Sequence, residues 1–199
     1  MIKIGITGGI GSGKSTVANL LKLHGVPVYN ADDETKKLNN NSPIIREELM
    51  KYFGQDLYIN NQLDKKKFAH IIFNDAEKLK LANAIIHPQV LKHFTNWCEQ
   101  YASHPIVALE AAILFESNFH KYLDKVVTVY SPLEVRVQRV SKRDNVSPEM
   151  VKRRIDHQMP ETEKIGMSKY VIFNDHQASL IEQVSELLKE LILTPKTTQ

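Results

Sequence analysis

The chain has 199 residues, of which 42% are apolar and 25% are charged, and it fits one α/β domain with small insertions. The net charge of +3 is too small to indicate nucleic acid or a membrane surface as a partner. No apolar run approaches the roughly 18 residues that a membrane span needs, and the strand pattern at the start leaves no room for a signal peptide. Cys98 is the single cysteine, so no disulfide forms within the chain and we expect a reducing, cytoplasmic compartment.

The stretch from Gly8 to Ser15 matches G-x-x-x-x-G-K-[ST], the phosphate-binding loop. An apolar run over 2–7 precedes it and a helical pattern from Thr16 follows, as the motif requires. Glycines let backbone N–H groups point into one concavity, and the positive end of the next helix adds attraction for an anion. Lys14 is expected to reach the β- and γ-phosphates and the Ser15 hydroxyl to ligate Mg²⁺. The loop predicts a protein that binds a nucleoside triphosphate.

Two aspartates follow the next predicted strand. Residues 24–30 predict a turn and a short strand that complete a right-handed βαβ unit. Asp32 and Asp33 come just after it, at the edge where ligands bind in open α/β sheets. A carboxylate there suits proton transfer from an attacking hydroxyl or Mg²⁺ binding, and equally the capping of a helix over 34–38.

The segment 42–100 predicts an all-helical block between strands. Its helices are expected over 43–53, 65–73 and 77–101. The last should kink or break at His87–Pro88, because proline removes a backbone donor. About sixty residues exceed what a simple crossover needs, which indicates an inserted substrate-binding subdomain.

Residues 105–110 predict a central strand that is apolar until Glu110. A strand ending in a carboxylate is typical of the second element of a nucleotide site, where the acid assists Mg²⁺ or its water, although a loop acid without a role is the alternative.

A further strand is predicted over 126–130, followed by two helices with clustered basic residues. Arg136, Arg139 and Arg143 are spaced to form one cationic face, and a second cluster lies at 152–154. Paired helices of this kind form a lid over the phosphates in phosphate-loop kinases, although for any single arginine a solvated face is an equal alternative.

The last strand, over 170–174, ends at Asn174, where an amide is placed to read an adenine edge. A closing helix over 177–193 carries one core-packing stripe: Ile181, Val184, Leu187, Leu188 and Leu191. The polar end, 194–199, is predicted to be frayed.

Together these elements predict an α/β, three-layer P-loop NTPase fold with a parallel central sheet of about five strands. We expect a single domain whose core comprises 1–40, 104–135 and 168–193, with a helical acceptor-binding insert over 42–101 and a helical lid over 136–165.

Several elements beyond the phosphate loop resemble the dephospho-coenzyme A kinase family along nearly the whole length. They are Thr7–Thr16, Gly25–Val28, Ala31–Asp32, Asn83–Pro88, Ile113–Glu116, Gln138–Arg139, Arg143–Asp144, Gln158 and Tyr170–Asn174. The His-Pro and Leu-Phe-Glu elements are more specific than the loop, which many kinases and ATPases share.

The resemblance implies the last step of coenzyme A synthesis, in which ATP phosphorylates the ribose 3′-hydroxyl of dephospho-coenzyme A. It implies catalytic roles for Lys14, Arg139 and Asp32, with Asp32 as the base. The implied ATP-binding residues are Gly11, Ser12, Gly13, Lys14, Ser15, Thr16, Arg143 and Asn174. The implied acceptor-binding residues are Asp32, Lys65, His87, Leu114 and Glu116, and Ser15 and Glu110 are the implied Mg²⁺ ligands. For His87, a purely structural role is equally consistent.

The chain departs from the family pattern at a few positions. Asn30 stands where a first aspartate is common, Lys65 replaces an arginine, and Ser168–Lys169 replaces an Ala-Asp pair. Glu110 and Ala112 replace an aspartate and a proline, and the longer glutamate is expected to hold Mg²⁺ through water. None of these changes removes a group that phosphoryl transfer requires.

Two other functions are weighed against this one. A nucleoside or nucleotide kinase of the same fold is the nearer alternative. A nucleotide-dependent switch is the other, but the chain lacks the Asn-Lys-x-Asp motif of a guanine-specific switch. We expect a monomer or small homo-oligomer that binds neither nucleic acid nor a membrane.

Overall fold

Five parallel strands form one sheet in the computed structural model, which describes residues 1–73 and 75–193. The helices and strands in chain order are β1 (Ile2–Thr7), α1 (Lys14–Leu23), β2 (Val28–Asn30), α2 (Ala31–Asn41), α3 (Pro43–Phe53), β3 (Tyr58–Ile59), β4 (Gln62–Leu63), α4 (Lys65–Phe73), α5 (Ala76–Gln100), β5 (Ile106–Glu110), β6 (Lys125–Tyr130), α6 (Leu133–Asp144), α7 (Pro148–Asp156), α8 (Glu161–Met167), β7 (Tyr170–Phe173) and α9 (Leu180–Leu193). Short 3-10 turns span Gln55–Leu57 and Phe119–Tyr122. The sheet order is β2-β5-β1-β6-β7, so the predicted parallel five-stranded α/β fold is confirmed.

The described chain divides into two compact units, one formed by residues 1–30 with the chain from Tyr101 onward and the other by residues 31–100. In the first unit, alternate residues of the central strands pack against α1 and α9, as Ile4 and Ile6 of β1 illustrate, both completely buried. Alternation follows from the strand geometry, which sends successive side chains to opposite faces.

Helix α9 begins at Leu180, three residues later than predicted, and carries the expected stripe with one exception. Val184, Leu187, Leu188 and Leu191 are buried, whereas Ile181 is 61% exposed, so its assignment to the core is wrong. Leu180 packs on the core in its place, because it lies four residues before Val184 while Ile181 is about 100° further round the helix. The end predicted to be frayed, 194–199, lies outside the described residues.

The second unit packs α2, α3 and α4 against α5. The expected helices over 43–53 and 65–73 are confirmed with those bounds. The prediction of an all-helical block is wrong, because β3 and β4 pair as an antiparallel hairpin. Asn60 and Asn61 form its turn with φ of 49° and 63°, a conformation that asparagine tolerates well. Strands of two residues are too short to give an alternating pattern.

The sequence predicted a kink or a break at His87–Pro88; helix α5 continues through Pro88, so the break does not occur. Its buried residues recur every four positions on both sides of the proline, at Ala82, Ile86, Val90, Phe94 and Cys98. Pro88 itself is exposed, as is Ala84, whose carbonyl loses its helical donor and can bind water instead. The packing of these buried residues of α5 therefore outweighs the loss of one hydrogen bond. Among the described residues, no helix combines the length and the apolarity needed to cross a membrane.

Pro88→Ala tests this account of α5. We expect the free energy of unfolding to rise by about 1–2 kcal/mol. Alanine restores a hydrogen-bond donor, and this gain is partly offset because alanine raises the conformational entropy of the unfolded chain. Denaturant unfolding followed by circular dichroism measures the change. Lys92→Ala, at an exposed position of the same helix, is the matched control and should shift stability by less than about 0.5 kcal/mol. A lower free energy of unfolding for Pro88→Ala would contradict the interpretation that Pro88 destabilises α5.

Candidate active site

The loop that joins β1 to α1 ends at Gly13, the N-cap residue of α1, with φ of 98°. This left-handed conformation favours glycine, and a Cβ at Gly13 would collide with the side-chain amide of Asn174. The Gly13 carbonyl accepts hydrogen bonds from the N–H groups of Thr16 and Val17 at 3.0 and 3.1 Å. The helix therefore begins at Lys14, and its positive end lies at the loop, as an anion site requires.

Lys14 is the first residue of α1, and its side chain turns back onto the loop. Its Nζ donates to the carbonyls of Gly8 and Gly9 at 2.9 and 3.1 Å, and the residue is only 9% exposed. Both of these acceptors are neutral. They fix the ammonium group on the loop that is predicted to bind phosphate.

Ser15 and Glu110, the predicted Mg²⁺ ligands, are in contact. Ser15 Oγ donates to Glu110 Oε1 at 2.7 Å, and Asn30 Nδ2 donates to Glu110 Oε2 at 3.3 Å. Asn30 and Glu110 are register partners at the carboxyl ends of β2 and β5. A hydroxyl and a carboxylate are the oxygen ligands that Mg²⁺ prefers, so the residues present fit the ion. Sequence reasoning identified Asn30 only as a departure from a family pattern and missed its contact with Glu110.

The three arginines of α6 do not form one cationic face, so that prediction is wrong. Arg136 is 6% exposed, and its Nε lies 3.1 Å from the Ser131 carbonyl and 3.3 Å from Glu161 Oε2. Arg143 is exposed and pairs with Asp144 at 2.7 Å. Burial decides the difference, because a guanidinium removed from water needs acceptors from the protein. Arg143 holds the pKa of the Asp144 carboxyl below its usual range.

Arg139 connects the phosphate loop to the end of β7. It donates to the Gly11 carbonyl at 3.4 Å, to Ser131 Oγ at 3.2 Å and to Asn174 Oδ1 at 3.3 Å. Asn174 in turn donates from Nδ2 to the Ser12 carbonyl at 2.8 Å. Both polar atoms of the Asn174 side chain thus make contacts within the protein, which gives this residue a loop-holding role besides the predicted one toward adenine.

Glu116 and Leu114, two predicted acceptor-binding residues, lie in the turn after β5. Leu114 is completely buried close to Gly5, which makes it a core residue rather than a surface that a ligand reaches. Glu116 accepts from Lys164 Nζ at 2.9 Å and from the Met159 N–H at 3.0 Å. Lys164, on a helix that sequence reasoning missed, is completely buried and also donates to the Ala112 carbonyl at 2.7 Å.

Three predicted residues belong to the unit of residues 31–100. Asp32 lies in the first turn of α2, which begins at Ala31, so neither it nor Asp33 caps a helix over 34–38 as one alternative proposed. Acidic residues in a first turn still interact favourably with the helix dipole. Lys65 is exposed at the start of α4, and His87 is half-buried on α5, where burial lowers its pKa.

A phosphate loop after the middle strand of a parallel sheet, with Ser15 of the loop motif in contact with Glu110, is typical of phosphate-loop NTPases, the class that includes the phosphate-loop kinases. The family model described as dephospho-CoA kinase matches residues 2–179. A dephospho-CoA kinase of Bacteroides fragilis is 44% identical over 94% of this chain and 91% of its own length. The chain therefore belongs to the dephospho-CoA kinase family.

Solved structures agree with this fold. A crystal structure of a Thermus thermophilus protein superposes with a TM-score of 0.87 at 36% identity and covers 98% of both chains. A shikimate kinase from Acinetobacter baumannii superposes with a TM-score of 0.53 at 20% identity, covering 100% of this chain and 96% of its own. The second similarity concerns the fold alone.

Lys164 and Glu116 allow a direct stability test. Glu116→Ala should cost about 2–4 kcal/mol, because it leaves the buried ammonium of Lys164 without its charged partner. Adding Lys164→Met to Glu116→Ala should recover part of this loss, since the ammonium that had lost its partner is then absent. Denaturant unfolding at neutral pH measures both. Glu163→Ala, at an exposed position of α8, should change stability by less than about 0.5 kcal/mol. If Lys164→Met measured alone and Glu116→Ala gave losses that add up in the double variant, the pairing would be refuted.

Proposed function

We propose that the chain transfers the γ-phosphoryl group of ATP to the ribose 3′-hydroxyl of dephospho-CoA, which gives CoA and ADP. The observation that carries the proposal is the contact of Ser15 with Glu110 beside Lys14, in a chain that belongs to the dephospho-CoA kinase family. This is the last step of CoA biosynthesis, and we expect it to take place in the cytoplasm, in a monomer or small homo-oligomer.

The loop residues Gly11 to Thr16 would bind the ATP phosphates, with Lys14 at the β- and γ-phosphates. Ser15 and Glu110 would hold Mg²⁺, which supplies positive charge beside the phosphates when it is bound. Arg139 and Arg143, in the proposed lid over 136–165, add guanidinium donors for charge on the transferring group. Phosphoryl transfer depends mainly on such positioning and charge stabilisation, so these residues supply most of what the reaction needs.

Asp32 is proposed as the base that accepts the proton of the ribose hydroxyl. It lies two residues beyond Asn30, at the end of β2 where ligands bind in α/β sheets. Lys65, His87 and Glu116 are proposed to contribute to acceptor binding, as the family resemblance implies. Lys65 would act as a point charge without the bidentate fork of an arginine.

The acceptor is tested by incubating the protein with magnesium ATP and a panel of alcohols and phosphates. We expect transfer to dephospho-CoA but not to a nucleoside, a nucleoside monophosphate or shikimate, measured as ADP release and product mass. A product that carries its new phosphate on the ribose 3′-oxygen confirms the position. Transfer to a nucleoside monophosphate but not to dephospho-CoA would instead support the nucleotide-kinase alternative.

Asp32→Asn should lower kcat by on the order of 10²–10⁴-fold, the usual contribution of a general base. The KM for ATP should change little, because the loop that binds phosphate is intact. Asp33→Asn is the matched control, since Asp33 is exposed and pairs with Lys36 at 2.8 Å. Lys14→Ala should instead lose ATP binding, as direct titration would detect. Turnover of Asp32→Asn within a few-fold of wild type would remove Asp32 as the base.

A further inference from the structure

Two N–H groups at the start of the phosphate loop are bonded to side chains from far along the chain. The Gly9 N–H donates to Glu161 Oε1 at 3.0 Å, and the Ile10 N–H donates to Gln158 Oε1 at 2.9 Å. Backbone N–H groups of such a loop ordinarily face an anion. Here the N–H groups of Gly9 and Ile10 are instead bonded to side chains of the protein itself.

The Glu161 carboxylate is held in a buried setting. Its other oxygen, Oε2, lies 3.3 Å from Arg136 Nε, and the two side chains are 9% and 7% exposed. Burial raises the pKa of Glu161, while Arg136, the Gly9 N–H and Lys14 act in the opposite direction. A buried carboxylate is tolerated only with partners of this kind.

Gly9 is not required by the phosphate-loop motif, which specifies glycine only at positions 8 and 13 of this chain. The structure supplies the reason for glycine at this position. A Cβ on Gly9 would collide with the guanidinium of Arg136 and approach Glu161 Oε1 to 2.9 Å. A larger residue at this position would therefore force the ends of these two side chains to shift.

The same residue, Gly9, also contacts Lys14. The Gly9 carbonyl accepts from Lys14 Nζ at 3.1 Å, while the Gly9 N–H is held by Glu161. A continuous series of contacts therefore runs from Arg136 through Glu161 and Gly9 to the ammonium group. Gln158 holds the next N–H of the loop in the same way.

We propose that Glu161 and Gln158 are positioning residues for Lys14, which hold the first turn of the phosphate loop in its binding shape, with Arg136 balancing the charge of Glu161. The inference rests on the proposed function, because Lys14 is taken to bind the β- and γ-phosphates. Because Glu161 and Gln158 lie within the proposed lid, 136–165, their contacts also connect the lid to the ATP site. Loss of these contacts affects the handling of ATP and leaves acceptor binding unchanged.

The test compares Glu161→Ala, Glu161→Gln and Gln158→Ala, with Thr162→Ala, at an exposed position of α8, as the control. Each variant is measured for melting temperature, for kcat and KM with both substrates, and for binding of a fluorescent ATP analogue without acceptor. Glu161→Ala and Gln158→Ala should lower kcat/KM for ATP by about 10–100-fold, since displaced catalytic groups cost about that much, with the KM for dephospho-CoA unchanged. Thr162→Ala should match wild type.

Glu161→Gln separates positioning from stability. Its amide oxygen can still accept from the Gly9 N–H, so kcat/KM for ATP should stay within about threefold of wild type. Its NH₂ group faces Arg136, so the melting temperature should nevertheless fall. If the role of Glu161 were purely structural, kcat/KM for ATP would instead fall together with the melting temperature in every variant, Glu161→Gln included.

The proposal is overturned if Gln158→Ala, folded at the assay temperature, retains kcat/KM and analogue binding within twofold of Thr162→Ala. If Glu161→Ala does not fold, Gln158→Ala and Glu161→Gln still decide between the two roles. Failure of the proposed function gives a different result: wild type would not phosphorylate dephospho-CoA, while analogue binding would still report on the loop.

Discussion

The contact on which the site depends is the hydrogen bonding of the Lys14 ammonium to the carbonyls of Gly8 and Gly9. Carbonyls of adjacent residues converge on one point only where the chain turns tightly, and glycine makes that turn accessible. Segments distant in sequence then hold the loop in place, through Glu110 of β5, Asn174 beyond β7 and Glu161 of α8. Because the strands are parallel, the carboxyl ends of β1, β5 and β7 lie at the same edge of the sheet, which brings the first two of these residues to the loop.

Pairs of charges with at least one buried member act here as connections between elements. Arg136 and Glu161 join α6 to α8, and Lys164 and Glu116 join α8 to the turn after β5. Such pairs contribute little net stability, because the desolvation of two charges offsets most of their attraction. Their effect is on geometry, since a buried charge that leaves its partner is strongly unfavourable. Helix α8 is thereby held against both the phosphate loop and the turn that contains Glu116.

The sequence predicted the parallel sheet, the phosphate loop and most helices, because these have local signals: β-branched runs, a glycine pattern and helical periodicity. It failed where tertiary contacts decide the outcome. Pro88 reads as a helix breaker, but the packing of α5 overrides that local preference. Arg136 and Arg143 have the same helical spacing as solvent-facing cations, and only the fold buries the first of them. Lys164 and Glu116 are 48 positions apart in the sequence, so their pairing leaves no local trace.

Two departures from the family pattern become a single feature in the structure. The sequence has glutamate at 110 where an aspartate is usual, and asparagine at 30 where an aspartate is common. Glu110 accepts from Ser15 through one oxygen and from the Asn30 amide through the other. An aspartate at position 30 would place a second negative charge beside Glu110 and repel it, since like charges at this distance disfavour joint ionisation. Asparagine instead supplies a donor. The longer acid at 110 and the neutral amide at 30 are therefore compatible as a pair, and together they keep a carboxylate beside Ser15 at the site proposed for Mg²⁺.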